Sequence, residues 1–210
     1  MSTSLAWEAR YAEGQDLFGA MPNDYLRSQS WRLSPGMAAL ALGDGEGRNG
    51  LHLARLGLDV LSVDWSATGL ARAGARAAAE GAALRTEQAD LTRWHWPEAR
   101  FDLVAWVYVH LPPADRAVVC AGAVRALKPG GLLLLECFSP AQAHGGTARR
   151  SGGPREASLL WTRAIAEREF AGLEVLELLE GTVRLDEGPK HQGEAEVLRA
   201  LLRRPRPDAS

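Results

Sequence analysis

Cysteine, lysine and long apolar runs are all scarce in this chain. The two cysteines, Cys120 and Cys137, each lie in an apolar segment without a partner at metal-ligand spacing, which argues against a disulfide framework or a zinc site and for buried free thiols. Lysine occurs only at Lys128 and Lys190, so no Tyr-x-x-x-Lys catalytic pair is available. Apolar stretches such as Leu132 to Leu135, closed by Glu136, fall far short of the roughly 20 residues that span a bilayer. The N-terminus, Met1 to Glu8, shows neither a basic n-region nor an apolar h-region, and the expectation is a cytoplasmic protein that binds no membrane. An excess of positive charge is also missing: 24 Lys+Arg stand against 26 Asp+Glu. The arginines are scattered among Ala and Glu, with no basic and aromatic stripe to stack on bases, so nucleic acid is not an expected partner.

What is present, 210 residues of which 46% are hydrophobic, suffices for one domain with a substantial core. Residues 1–36 carry two short amphipathic segments around Met21-Pro22-Asn23 and read as an N-terminal lid. From Met37 to Arg203, short apolar runs alternate with Ala/Arg/Glu-rich stretches of helical length, the pattern of βαβ units and a parallel sheet. Strands are predicted over 37–42, 59–63, 83–87, 101–107 and 132–138, with helices over 49–56, 67–80, 113–127 and 158–170. A hairpin follows over 173–184 and 194–202, turning at Asp186 to Lys190. Residues 204–210, with two prolines and no apolar anchor, are expected to fray. The long irregular stretch from Ser139 to Gly153 carries His144, Arg149 and Arg150, which could meet an anionic substrate but read more simply as exposed.

The first strand runs into Gly43-Asp44-Gly45-Glu46-Gly47-Arg48-Asn49-Gly50 and then a helix, so a ligand can approach backbone there. Gly45-x-Gly47-x-x-Gly50 fits a dinucleotide fingerprint, and Gly43-x-Gly45-x-Gly47 fits the loop of S-adenosylmethionine (SAM) enzymes. Charge separates the two. Asp44 and Glu46 would oppose an anionic pyrophosphate, whereas a sulfonium and an α-amino group suit an acidic loop, with the carboxylate of SAM left to Arg48 or Arg10. Asp64, ending the second strand, is placed for a ribose diol, with Trp65 offering an apolar face to adenine and Ser66 beside it. Asp90, followed by Leu91, could accept from the adenine amino group, and Val107 closes the fourth strand at the same sheet edge.

With these residues the chain resembles the class I SAM-dependent methyltransferases, and within them the tellurite-resistance and thiopurine methyltransferase branch. The matching pieces include Trp7-x-x-Arg10-Tyr11, Pro22-Asn23, the glycine loop through Asn49, Val63-Asp64-x-Ser66, Ala89-Asp90-Leu91, His110-Leu111-Pro112 and Glu187-Gly188-x-x-His191-x-Gly193. The resemblance implies an α/β, Rossmann-like three-layer sandwich whose seven strands run in the order 3-2-1-4-5-7-6, the last antiparallel. One departure stands out: Ala41 occupies the first-strand position where the family usually has an acid.

His110 and His191 are the candidate catalytic groups. Methyl transfer requires an in-line arrangement and exclusion of water, and a base only when the acceptor is not already nucleophilic. With no further carboxylate or tyrosine evident at the sheet edge, the expected acceptor is a small, soft nucleophile: a thiol, selenium or tellurium species. The alternative is a nucleotide-binding protein without methyl transfer, either an NAD-dependent oxidoreductase using the other glycine register or a SAM-binding sensor.

Overall fold

The computed structural model describes residues 3–14, 16, 18–144 and 151–207, with 3–6 and 144 as main chain only. In it the apolar runs form one sheet. Its strands are β1 (Ala38–Leu42), β2 (Asp59–Asp64), β3 (Leu84–Gln88), β4 (Phe101–Val107), β5 (Leu127–Phe138), β6 (Glu174–Asp186) and β7 (Gln192–Arg203), in the order β3-β2-β1-β4-β5-β7-β6. The first five are parallel and β7 is antiparallel to both neighbours, as the resemblance implied. Helices α3 (Arg48–Arg55), α4 (Ala67–Glu80) and α5 (Pro113–Ala126) supply the crossovers between parallel strands. Each parallel strand therefore ends, at its carboxyl tip, in a loop on one common edge.

Side-chain alternation divides the core between the two faces of the sheet. Leu40, Leu42, Val104 and Trp106 pack with Val119 and Ala123 of α5 on one face, while Ala39, Leu103 and Ala105 meet Leu26 and Leu53 on the other. Both faces of β4 are thus covered, which explains its unbroken apolar run. Ahead of the sheet come α1 (Thr3–Glu13), which packs on α4, and α2 (Asp24–Ser28), capped by Asn23 through a 3.0 Å bond accepted from the Leu26 N–H. A 3₁₀ turn (Ser30–Arg32) leads into β1.

Two expectations need correction, and one falls outside the described residues. The helix predicted over 158–170 is shorter: a 3₁₀ turn covers Ala157–Leu159, and α7 spans Arg163–Glu169. Leu160 and Trp161 are extended instead, because both are wholly buried and the Trp161 N–H donates to the Phe138 carbonyl at 2.9 Å. The Thr162 hydroxyl then caps α7 by accepting from the Ile165 N–H. The tail expected to fray from residue 204 is held at Arg204. Its main chain pairs with Gly130 and Gly131, and its guanidinium donates to the carbonyls of Val124, Arg125 and Leu127, where α5 ends. Within the long stretch after β5, α6 (Ala141–His144) is described; Arg149 and Arg150 lie outside the described residues, as does the side chain of His144.

Candidate active site

The carboxyl edge of the sheet gathers the loop after β1, the end of β2, the exits of β4 and β5, and the β6–β7 turn. Gly43, Gly45 and Gly47 all adopt positive φ, at 56°, 54° and 83°, a region that only glycine enters without strain. Space demands glycine here too. A Cβ on Gly43 would stand 2.5 Å from Cγ2 of Val109, and one on Gly45 would fall on the Tyr11 hydroxyl. Gly50 lies inside α3, where a Cβ would meet the Asp44 carboxylate and the Ser62 hydroxyl, so this glycine answers to internal packing.

The loop acids have separate partners. Asp64, 7% exposed, accepts the Gly45 N–H on Oδ2 and the Ser66 N–H on Oδ1, both at 2.8 Å. Burial raises its pKa, opposed by these backbone donors. Asp44 turns inward, accepting the Gly50 N–H at 3.0 Å and the Ser62 hydroxyl at 2.5 Å, and burial lifts its pKa to about 6. Ser62 is the β2 neighbour of Ala41, so Asp44 brings a carboxylate to the strand pair where position 41 lacks one. Glu46 pairs with Arg72 at 2.9 Å.

Helix α1 packs over this loop. Glu8 of α1 accepts from the Ser66 hydroxyl at 2.6 Å and from the Thr68 hydroxyl and N–H, which fastens α1 to the N-terminus of α4. Tyr11, 5% exposed, is held against Gly45. Burial raises the pKa of its hydroxyl first, and the charges of Asp64, Glu46 and Asp44 raise it further against Arg48. A field that disfavours phenolate beside the loop favours a sulfonium and an ammonium in the same place, so the residues present fit SAM.

The other candidate cofactor residues are placed as follows. Arg10 is exposed, its guanidinium 4.8 Å from the Trp7 ring centroid. Arg48 is buried and forms a 2.7 Å ion pair with Glu187. Trp65 is half-buried and Ser66 caps α4, accepting the Gly69 N–H at 3.0 Å. Asp90 accepts the N–H and hydroxyl of Thr92, the Leu91 carbonyl accepts the Trp96 indole N–H, and Val107 pairs with Glu136.

The two candidate catalytic histidines differ. His110 faces the Leu159 carbonyl with Nδ1 at 3.0 Å, so Nδ1 donates, and its Nε2 takes the Phe138 N–H at 3.5 Å; burial lowers its pKa to about 4. Both ring nitrogens therefore serve the backbone. His191, 4% exposed, has no hydrogen-bond partner on Nδ1 among the described residues and sits among the rings of Tyr108 at 4.5 Å, Phe18 at 4.8 Å and Phe138 at 5.6 Å. Burial, then Arg48 and His110, lowers its pKa to about 3.

Beneath this aromatic wall lies a polar cluster that sequence reasoning missed; with Tyr108, Glu136 and Glu187 in it, the expectation that this edge offers no further tyrosine or carboxylate is corrected. Glu136, fully buried, accepts from the Tyr108 hydroxyl at 2.5 Å, from Asn23 Nδ2 at 2.7 Å and from Arg199 Nε at 2.5 Å. Asn23 Nδ2 also donates to Glu187 at 2.9 Å. The available signal was Glu136 itself, a carboxylate set in an otherwise apolar buried strand, where it must be paired.

Comparison with known proteins agrees with this geometry. The family model described as a methyltransferase domain matches residues 39–131. No curated protein matches the chain. Among solved structures, the N-methyltransferase NodS from Bradyrhizobium japonicum WM9, in complex with S-adenosyl-L-homocysteine (SAH), is similar with a TM-score of 0.73 at 20% identity, over 98% of this chain and 100% of that one. TehB from Haemophilus influenzae gives 0.72 at 19% identity, over 94% and 67%. A TehB-like SAM-dependent methyltransferase from Corynebacterium glutamicum gives 0.59 at 24% identity, over 95% and 94%. At such identities these likenesses show the fold, and the domain match lies on its β1–β5 part. Residues 39–131 thus match a methyltransferase domain, and the chain as a whole has the fold of these SAM-dependent methyltransferases, the TehB-like ones among them.

Proposed function

We propose that the protein transfers the methyl group of SAM to a small-molecule acceptor whose reacting atom is a soft nucleophile, a thiolate, selenium or tellurium species. The observation that carries the acceptor class is His191, a buried ring whose Nδ1 has no partner among the described residues and whose pKa is lowered to about 3. So weak a base serves poorly to deprotonate an alcohol or amine, and an acceptor that arrives ionised does not need it. SAM, when bound, supplies an electrophilic methyl on a positively charged sulfur. In this reading Asp64 holds the ribose hydroxyls, the Gly43–Gly47 backbone lies against the methionine portion, and Asp64, Glu46 and Asp44 favour its positive groups. Trp65 and Asp90 flank the adenine. His191 orients the acceptor by hydrogen bond, Tyr108, Phe138 and Phe18 exclude water, and α1 closes the site. His110 ties the 157–161 segment to β5 through the Leu159 carbonyl and the Phe138 N–H.

Calorimetric titration with SAM, SAH and NAD tests the cofactor, alongside Asp64→Ala. Binding of SAM and SAH but not NAD, weakened at least about tenfold in the variant, is expected, since a charged hydrogen-bond partner is removed. Transfer from methyl-labelled SAM to thiophenol, selenite and tellurite, compared with matched phenol and aniline, tests the acceptor. Preferential transfer to the oxygen or nitrogen compounds would overturn the soft-acceptor assignment.

A further inference from the structure

Pro22-Asn23 is a motif that the cofactor and acceptor assignments leave unused, yet Asn23 is fully buried and spends every polar group it has. Its N–H donates to Asn49 Oδ1 at 2.9 Å, its Oδ1 accepts the Leu26 N–H, and its carbonyl accepts the Arg27 N–H. Its Nδ2 donates to two buried carboxylates, Glu136 at 2.7 Å and Glu187 at 2.9 Å. An ordinary helix cap needs only the Oδ1 contact.

The two carboxylates lead to opposite sides of the site. Glu187, 2% exposed, also accepts the Asp24 N–H and pairs with Arg48, which with Asn49 opens α3 directly after the glycine loop. It is equally the first residue of the turn that carries His191, closed by the Glu187 N–H on the His191 carbonyl at 2.9 Å and the His191 N–H on the Gly188 carbonyl at 3.1 Å. Glu136 is balanced by Arg199 and holds the Tyr108 hydroxyl, whose ring abuts His191. The amide of Asn23 thus lies between two anions, each with an arginine on its far side: Arg199, Glu136, Asn23, Glu187, Arg48. Without it two buried carboxylates would share the region with no donor between them, a costly arrangement.

We propose that Asn23 is a positioning residue that couples occupancy of the cofactor loop to the Glu187–His191 turn, and so sets where His191 stands against the acceptor. The inference rests on the methyltransferase reading, because it takes SAM or SAH as the ligand of the loop. Coupling of this kind is a free energy shared between two sites through elements both of them touch.

The test uses SAH, so no acceptor need be known. Amide hydrogen exchange at Glu187 and His191 is measured with and without saturating SAH, occupancy being checked by calorimetry. In the wild type, SAH is expected to slow both amides on the order of tenfold. Asn23→Ser keeps a hydroxyl to cap α2 but removes both Nδ2 donors, and there the SAH-dependent slowing should vanish. A merely structural role would speed exchange equally with and without SAH. If Asn23→Ser does not fold, Glu187→Gln decides, since it keeps an oxygen for Asn23 but releases Arg48; loss of the slowing supports the coupling and retention overturns it. No SAH effect in a wild type that binds SAH, or a full effect in Asn23→Ser, also overturns it. A wild type that does not bind SAH removes the cofactor reading itself, and this inference with it.

Discussion

Gly45 is where α1, the glycine loop and the second strand meet in one residue. Its N–H goes to Asp64, its φ is 54°, and the position of a Cβ is taken by the Tyr11 hydroxyl. Gly45→Ala should therefore strain the backbone by about 1 kcal/mol or more and push Tyr11 off the loop. SAH affinity is expected to fall at least about tenfold, and calorimetry showing an unchanged affinity would contradict the packing described. The positive φ that demands glycine is a property of single residues, which is why the loop was legible in the sequence. Asp44 was not legible in the same way. Its acidity suggested a group facing the ligand, but the side chain lies on Ser62 and Gly50, a choice made by β2 and α3 together.

At the scale of elements, α1 is fastened at Glu8, midway along it, and the residues just after it are held by two arginines of α4. Arg72 donates to the Gly14 carbonyl at 2.6 Å, and Arg76 pairs with Asp16. Glu8→Gln removes the charge at the α4 N-terminus while keeping the shape. It should speed amide exchange in α1 several-fold without altering the sheet strands, because docking energy of this kind opens locally. Equal exchange in variant and wild type would mean that Glu8 contributes nothing to the closure. The strands and long helices were legible because period 2 and period 3.6 are local. The residues 158–162 misled because Trp161 is claimed by the Phe138 carbonyl and by the ring of Trp106, which lie far away in sequence. Trp161→Ala should destabilise the fold by roughly 3–5 kcal/mol, read from the urea midpoint at constant m.

For the molecule as a whole, buried titratable groups set how stability follows pH. His110 and His191 stay neutral when folded, at about 4 and about 3, so below ~6.5 the unfolded chain binds protons that the folded one refuses, and stability falls. Asp44 acts oppositely. With a folded value of about 6 against ~3.9 unfolded, its contribution is full below ~3.9 and is lost as pH rises through 6. Between roughly pH 4 and 6 the two histidines favour loss of stability on acidification, and Asp44 opposes it together with Asp64 and Glu187, whose pKa values burial also raises. Asp44→Asn removes its share of that opposition, so its urea midpoint should fall relative to that of the wild type between pH 6 and 4.5; parallel slopes would show that Asp44 is not held protonated. This scale also explains what stayed hidden in the sequence. Asn23 meets Glu136 across 113 residues and Glu187 across 164, and no local pattern announces a partner at such distance.

The placing of β7 has a consequence for how the protein is made. Residues 192–203 come late in the chain but stand between β5 and β6, so during synthesis β5 presents an open, apolar edge until they emerge from the ribosome. Leu133 and Leu135 of β5 lie in the core of the finished molecule, and until β7 arrives they flank unpaired backbone groups. Nascent chains stalled before residue 192 should thus be the aggregation-prone species, and those stalled far enough beyond 203 to free β7 should not.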